Sequence, residues 1–311
     1  MKKIVFVLNP HSGKALIKNA LLKIIQVFSE AGYDVTVYPT KAPFDGYEYL
    51  KKCEGQYDVL VCSGGDGTLN EVVRAVLEYQ GDKPPIGYIP SGSTNDFATS
   101  LNIPKDMVRA AQHIAAGEPV QCDIGRANGE RSFNYVAAFG AFTEVSYATP
   151  QHLKNLLGHQ AYVLEGVKSL AALKPYKVKV TSNELQVEDS FVYGMVSNTE
   201  SACRNYCGMR GLAGTGVDLQ DGLFEVTLIK EIKNPMEVQQ LVTAFLSKNF
   251  EKCDVLYSFK TSKITFESEE AIKWTLDGEY GGEWKEMRLE VEPRAIEFII
   301  KKRKEKTKKL N

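Results

Sequence analysis

The stretch "VLVCSGGDGTLNEVV", residues 59–73, decides how the chain is read. An apolar run at Val59–Cys62 passes directly into Gly64, Gly65, Asp66, Gly67 and Thr68, and then into a segment with apolar residues at helical spacing. A strand that feeds a helix through such a loop lets backbone N–H groups approach a phosphate closely. The helix N-terminus adds a favourable partial positive charge. The stretch is not a dinucleotide fingerprint, because Asn70 stands where the third glycine belongs. A Walker A loop would need a glycine five residues before Gly13-Lys14, and none is there. A tight turn needs one glycine; three around an aspartate after a buried strand point to a nucleotide.

Outward from this loop, residues 1 to about 120 alternate short apolar strands with helical runs. "KIVFVL", "DVTVY", "DVLVCS" and "PIGYIP" read as strands, and "ALIKNALLKIIQVFSEAG" as a helix that stops at Gly32. Alternating β and α elements predict a largely parallel sheet covered by helices, with a ligand site beyond the carboxyl ends of the strands. Three more strand-end segments are candidates for it: "NPHSGK" at 9–14, "PSGSTNDFATSL" at 90–101, and Thr40 after "DVTVY". Asn9, Ser12 and the Gly13 backbone suit a phosphate or ribose, although Asn-Pro and Ser-Gly also mark ordinary turns and Ser12 could cap a helix.

After about residue 123 the texture changes to short β-rich runs such as "YKVKVTS", "LQVEDSFVYGMVSN", "GLFEVTLIK" and "EMRLEVEP", which predict an antiparallel sandwich or barrel. Helical inserts interrupt it near 151–173 and 234–248. A last strand, "AIEFII", precedes the tail "KKRKEKTKKLN", with seven basic residues and one acidic. Two acidic turns stand out. "VDLQDGLFEV" at 217–226 carries Asp218 and Asp221, and "WTLDGEYGGEW" at 274–284 sets Asp277 and Glu279 either side of a glycine. Asp-Gly is a common hairpin signal, yet two carboxylates facing a phosphate donor could hold Mg²⁺ or take a proton from an attacking hydroxyl.

The 311 residues suit roughly two domains. With 38 Lys plus Arg against 39 Asp plus Glu, the body of the chain offers no electrostatic reason to expect a nucleic-acid partner. No apolar run reaches the eighteen or so residues of a membrane span, so a soluble protein is expected, and "MKKIVFVLNPHSG" reads as a first strand and not a signal peptide. The six cysteines show no zinc spacing; Cys203 and Cys207 come nearest to a metal pair, and reduced thiols in a cytosolic protein are the expectation.

"NPHSG", "SGGDGTLNEV", "PSGSTNDFATSLNIP", "LLGHQAYVLEGVKSL", "DLQDGLFEV" and "LDGE", in this order, resemble the soluble diacylglycerol kinase catalytic family, related to the sphingosine kinases. "GGDG" alone is shared with NAD kinases and phosphofructokinases; "GGDGTLNE" together with "GSTNDFA" is specific.

The resemblance implies a three-layer α/β domain that binds ATP, residues 1–122 with a returning strand at 294–311, and an antiparallel β-sandwich lipid-substrate domain, 123–293, with a cleft for the lipid between them. It places Asn9, Pro10, His11, Ser12, Gly13, Thr40, Gly64, Gly65, Asp66, Gly67, Thr68, Leu69, Asn70 and Ser93 at the nucleotide and Asp96 towards the acceptor. Asp221, with the backbone carbonyls of Asp218 and Leu223, would hold a structural Mg²⁺ that fixes the two domains. Glu279 would be the catalytic base, with Asp277 positioning it or sharing the role.

The implied reaction moves the γ-phosphate of Mg·ATP to a lipid hydroxyl, with diacylglycerol first, sphingoid or other lipid alcohols next, then NAD, then a regulator that binds nucleotide without catalysis. The implied setting is cytoplasmic and peripheral at the inner membrane surface, with a homodimer open. Ser93 replaces the family's usual threonine, Gln220-Asp221 its usual acidic pair, and "ESACRNYCGMRGLAG" its short glycine-rich stretch.

Overall fold

A computed structural model describes residues 1–93, 95–140, 167, 170, 173–199, 218–247, 249–250 and 252–301. The helical insert near 151–173 lies almost wholly outside the described residues, and Cys203, Cys207, the segment around them and the tail 302–311 lie outside them entirely. The chain divides into two compact units, Met1–Cys122 with Ala295–Asn311, and Asp123–Arg294.

The first unit is built on parallel strands β1 (Lys2–Leu8), β2 (Tyr33–Pro39), β3 (Val59–Gly64) and β4 (Ile86–Pro90), in the order β2-β1-β3-β4. Strands β1 from Ile4, β3 and β4 are buried throughout, so they read as unbroken apolar runs and not as alternating ones. The intervening helices are α1 (Ile17–Glu30), α2 (Asp45–Lys51), α3 (Asp66–Leu77), α4 (Asp96–Ser100) and α5 (Met107–Ala115). α1 buries Ile17, Ile24 and Phe28 on one stripe, with Phe28 edge-on to Phe6 of β1, and it ends where Gly32 takes φ +84°. α1 packs beside α5 and α2 beside α3, as expected when right-handed crossovers run in opposite directions from β1. The order therefore reverses between β1 and β3. That is the switch point where open α/β sheets leave a crevice for a ligand. Leu8 pairs with Ser63, and Gly64 with Pro90, so the loops after β1, β3 and β4 leave the sheet side by side.

In the second unit the chain forms β5 (Glu118–Ala127, entered from the first unit), β6 (Arg131–Phe133), β7 (Val136–Gly140), β8 (Tyr176–Ser182), β9 (Gln186–Ser197), β10 (Phe224–Lys230), α6 (Pro235–Ser247), β11 (Leu256–Thr261), β12 (Lys263–Leu276) and β13 (Glu279–Ile300). β13 runs on into the first unit, where Phe298 pairs with Ile86 of β4 and packs against Phe97. β9 and β12 are long enough to pair with both β7 and β8, which closes a ring β7-β9-β8-β12 of antiparallel ladders. Phe139, Phe266 and Trp274 meet in its core at centroid distances of 4.9–5.7 Å, joined by Phe191, Phe224 and Leu289. Truncating an aromatic at such a site costs about 3–5 kcal/mol.

Candidate active site

Three loops of the first unit meet around glycines. Gly13 has φ +56°, and a Cβ there would lie 2.4 Å from the Ser91 carbonyl oxygen. A Cβ on Gly92 would lie 2.4 Å from the Gly65 Cα, so the loops after β3 and β4 touch backbone to backbone. Polar bonds fix the same junction. Asn9 N–H donates to the Ser63 carbonyl at 2.8 Å, Asn9 Nδ2 to Thr68 Oγ1 at 3.4 Å, and the Ser63 hydroxyl to Ser91 Oγ at 3.2 Å. Gly64, Gly65, Gly67 and Asn70 lead into or open α3, whose N-cap Gly65 gives no side-chain cap. The N-cap therefore contributes no side-chain oxygen that would compete with an anion at this helix N-terminus.

The remaining first-unit residues occupy different positions. Ser12 and Thr40 are buried, with Thr40 N–H donating to the Leu8 carbonyl at 2.9 Å. Pro10 is half-buried, and His11 and Ser93 are exposed. Leu69 is fully buried, so its side chain belongs to the core and only its backbone is left for a ligand. Asn95 was not singled out from the sequence, yet it clamps the third loop: its Oδ1 accepts from Gly92 N–H at 2.9 Å and its Nδ2 donates to the Gly92 carbonyl at 2.8 Å.

Two carboxylates lie beside the glycines. Asp66 accepts from the backbone N–H of Asp96 at 3.2 Å and of Phe97 at 3.4 Å, so the second loop caps the helix that the third loop starts. Burial raises the Asp66 pKa, and these N–H donors partly offset it. Asp96 is 1% exposed, and burial first, then the Asp66 charge, push its carboxyl up to about 7. A divalent cation suits such a pair, since it neutralises what the burial penalises.

In the second unit, Leu276–Glu279 form a two-residue hairpin with φ +51° at Asp277 and +84° at Gly278, the mirror-image turn that matches strand twist. The turn sends its carboxylates to different tasks. Asp277 is buried, and its Oδ2 accepts from Asn134 N–H at 2.6 Å while Oδ1 accepts from Tyr135 and Val136 N–H at 2.9 and 3.1 Å. Glu279 is exposed at the start of β13.

Asp221 Oδ1 accepts from Leu223 N–H at 3.0 Å, and its Oδ2 lies 2.9 Å from Lys260 Nζ. Asp218 Oδ1 accepts from Gln220 N–H at 3.0 Å. Asp123, not singled out from the sequence, pins this loop: its N–H donates to the Leu219 carbonyl at 2.8 Å, and its carboxylate accepts from Gly222 and Arg294 N–H, each at 2.7 Å. An acid inside the apolar run "VQCDIG" was the available signal. Among the described residues no group of three His, Cys, Asp or Glu side chains forms a metal site.

The family profile described as "Diacylglycerol kinase catalytic domain" matches residues 3–127, and that described as "YegS C-terminal NAD kinase beta sandwich-like domain" matches 137–300. A diacylglycerol kinase of Bacillus subtilis is 31% identical over 284 residues, covering 91% of each chain. One from Staphylococcus epidermidis is 33% identical over 283 residues, covering 90% of this chain and 87% of its own. A solved structure from Bacillus anthracis superposes with a TM-score of 0.79 at 25% identity, over 96% of this chain and 97% of that one. With both profiles and full-length relatives agreeing with the loops described above, the chain belongs to the diacylglycerol kinase catalytic family.

Proposed function

We propose that this chain transfers the γ-phosphoryl group of ATP to the free hydroxyl of diacylglycerol, giving phosphatidic acid and ADP. The observation that carries the reading is the junction of three glycine-lined loops at the uncapped N-terminus of α3. It offers backbone N–H groups to phosphate oxygens at the strand switch point, with Asn9, Ser12, Thr40 and Thr68 as polar neighbours. Mg²⁺ carried with the nucleotide would neutralise phosphate charge, and Asp96 with Asp66 are the carboxylates of this unit that suit it.

In the transfer the lipid oxygen bonds to the γ-phosphorus, the bond to the β–γ bridging oxygen breaks, and the hydroxyl proton goes to a base. Glu279 is the proposed base: it is exposed, while Asp277 spends its carboxylate on backbone amides and so positions the hairpin. No described helix is long and apolar enough to cross a membrane, and we place the enzyme at the cytoplasmic surface in peripheral contact with its lipid. The basic segment from Lys301 onward suits an anionic leaflet.

The test is transfer of ³²P from γ-labelled ATP with Mg²⁺ in mixed micelles offering diacylglycerol, sphingosine or NAD. Label in phosphatidic acid that disappears with Glu279→Gln supports the reading. Label in another acceptor reassigns the substrate, and label in none of the three removes diacylglycerol and turns the search to other lipid alcohols or to a regulator that binds nucleotide without catalysis.

A further inference from the structure

Lys260 of β11 stands directly across the ladder from Glu225 of β10. Its Nζ lies 3.0 Å from Glu225 Oε1 and 2.9 Å from Asp221 Oδ2, so one ammonium bridges two carboxylates at the base of the 218–223 loop. The Glu225 side chain is 4% exposed, and neither of its oxygens meets a well-aligned hydrogen-bond donor among the described residues. An ionised carboxylate in that position demands a cation, and the one in place is Lys260.

A divalent ion at this loop would take Asp221 as its side-chain ligand. Mg²⁺ needs that oxygen at about 2.0–2.1 Å in near-octahedral geometry. Both Asp221 oxygens are engaged, one of them by a cation: Oδ1 holds Leu223 N–H, Oδ2 faces the Lys260 ammonium, and the neighbouring Asp218 carboxylate holds Gln220 N–H. An ion bound there would sit within a few ångströms of the ammonium, a dication facing a cation that Coulomb repulsion opposes. As arranged, these residues do not fit the magnesium expected from the sequence. The loop's other side is already tied to Asp123 through Gly222 and Leu219.

We infer that the Lys260 ammonium is the resident cation of this loop, and that the chain holds residues 218–223 without a divalent ion. The inference rests on the geometry of the second unit alone and stands whichever lipid is the acceptor. A corollary is a latent site. Removing the ammonium leaves Asp221, the buried Glu225 and the loop carbonyls as an all-oxygen set of the kind that Ca²⁺, Mn²⁺ and Mg²⁺ accept.

The test uses the full chain without nucleotide, read by thermal melting in EDTA and in Mg²⁺ or Mn²⁺, and by Mn²⁺ binding followed by electron paramagnetic resonance. The wild type is expected to show no Mn²⁺ site that Asp221→Asn abolishes, and no part of its melting response should depend on Asp221. Lys260→Met is expected to melt several degrees lower in EDTA and to recover with Mn²⁺, because ligand binding to the folded state raises stability by mass action. Adding Glu225→Gln to that variant should restore stability in EDTA and remove the recovery. A wild-type Mn²⁺ site lost in Asp221→Asn would overturn the inference whether or not Lys260→Met folds. So would a folded Lys260→Met that ignores divalent ions.

Discussion

Asp277 and Tyr135 are bonded in both directions: Tyr135 N–H donates to Asp277 Oδ1 at 2.9 Å, and the Tyr135 hydroxyl donates to the Asp277 carbonyl at 3.1 Å. Asp277 N–H in turn donates to the Val136 carbonyl at 2.8 Å. The hairpin turn of β12–β13 is therefore sewn to the start of β7, and the aspartate of "LDGE" is the thread. Asp277→Ala strands three amide donors in a buried position, each worth about 1–3 kcal/mol when left unmade. We expect a loss on the order of 3 kcal/mol or more in urea unfolding, with the slope against urea unchanged. An unchanged midpoint would remove the structural role.

Glu279 tests the opposite behaviour. It is exposed, and its amide pairs across the turn with Leu276, so little folding energy rides on its carboxylate. Glu279→Gln should leave the melting temperature and the KM for ATP near wild type and lower kcat by about 10²–10⁴. A rate within about threefold of wild type takes the base role away from it.

The contrast within "DGE" marks where sequence reading stops. The α/β class of the first unit was legible because β1, β3 and β4 are buried on both faces and run into glycines that the local backbone needs. The β-rich class of the second was legible from its short alternating runs. What each acid does was not legible, because its partners are remote: the amides that Asp277 holds lie 141–143 residues upstream. Asp123 likewise holds Gly222, 99 residues away, and Arg294, 171 away. The pairing of β8 with β12, Thr181 against Thr265, is non-local in the same sense, which left sandwich and barrel equally open.

Asp96 gives the pH prediction. Burial, then Asp66, raise its folded pKa to about 7, so the folded chain binds a proton that the unfolded chain releases near pH 4. Stability from this group is present at low pH and is lost as pH rises through about 7. Asp96→Asn, which mimics the protonated form, should melt above the wild type at pH 8.5, with the gap narrowing to about half by pH 5.5 and closing only near pH 4, the unfolded value. Transfer activity should fall in the same variant at both pH values. A melting gap that does not change with pH would exclude a raised Asp96 pKa in the free chain.

Phe44 carries the last prediction. It sits at φ +63° in the loop that follows Thr40, a region where a non-glycine residue costs roughly 1–2 kcal/mol. Its neighbours impose that shape: Phe44 N–H donates to Glu71 Oε1 at 3.0 Å, while Asp45 accepts from Lys41 N–H at 2.8 Å and from the Tyr38 hydroxyl at 3.0 Å. The ring is 53% exposed, so its removal forfeits only part of a phenylalanine's burial. Glycine relieves the backbone strain at an entropic cost of about 0.5–1 kcal/mol, whereas alanine keeps the strain and loses the ring. Phe44→Gly should therefore melt at or above the wild type, and Phe44→Ala below both. If glycine is the less stable of the two variants, the ring and not the backbone governs this loop, and the strain assigned to it is wrong.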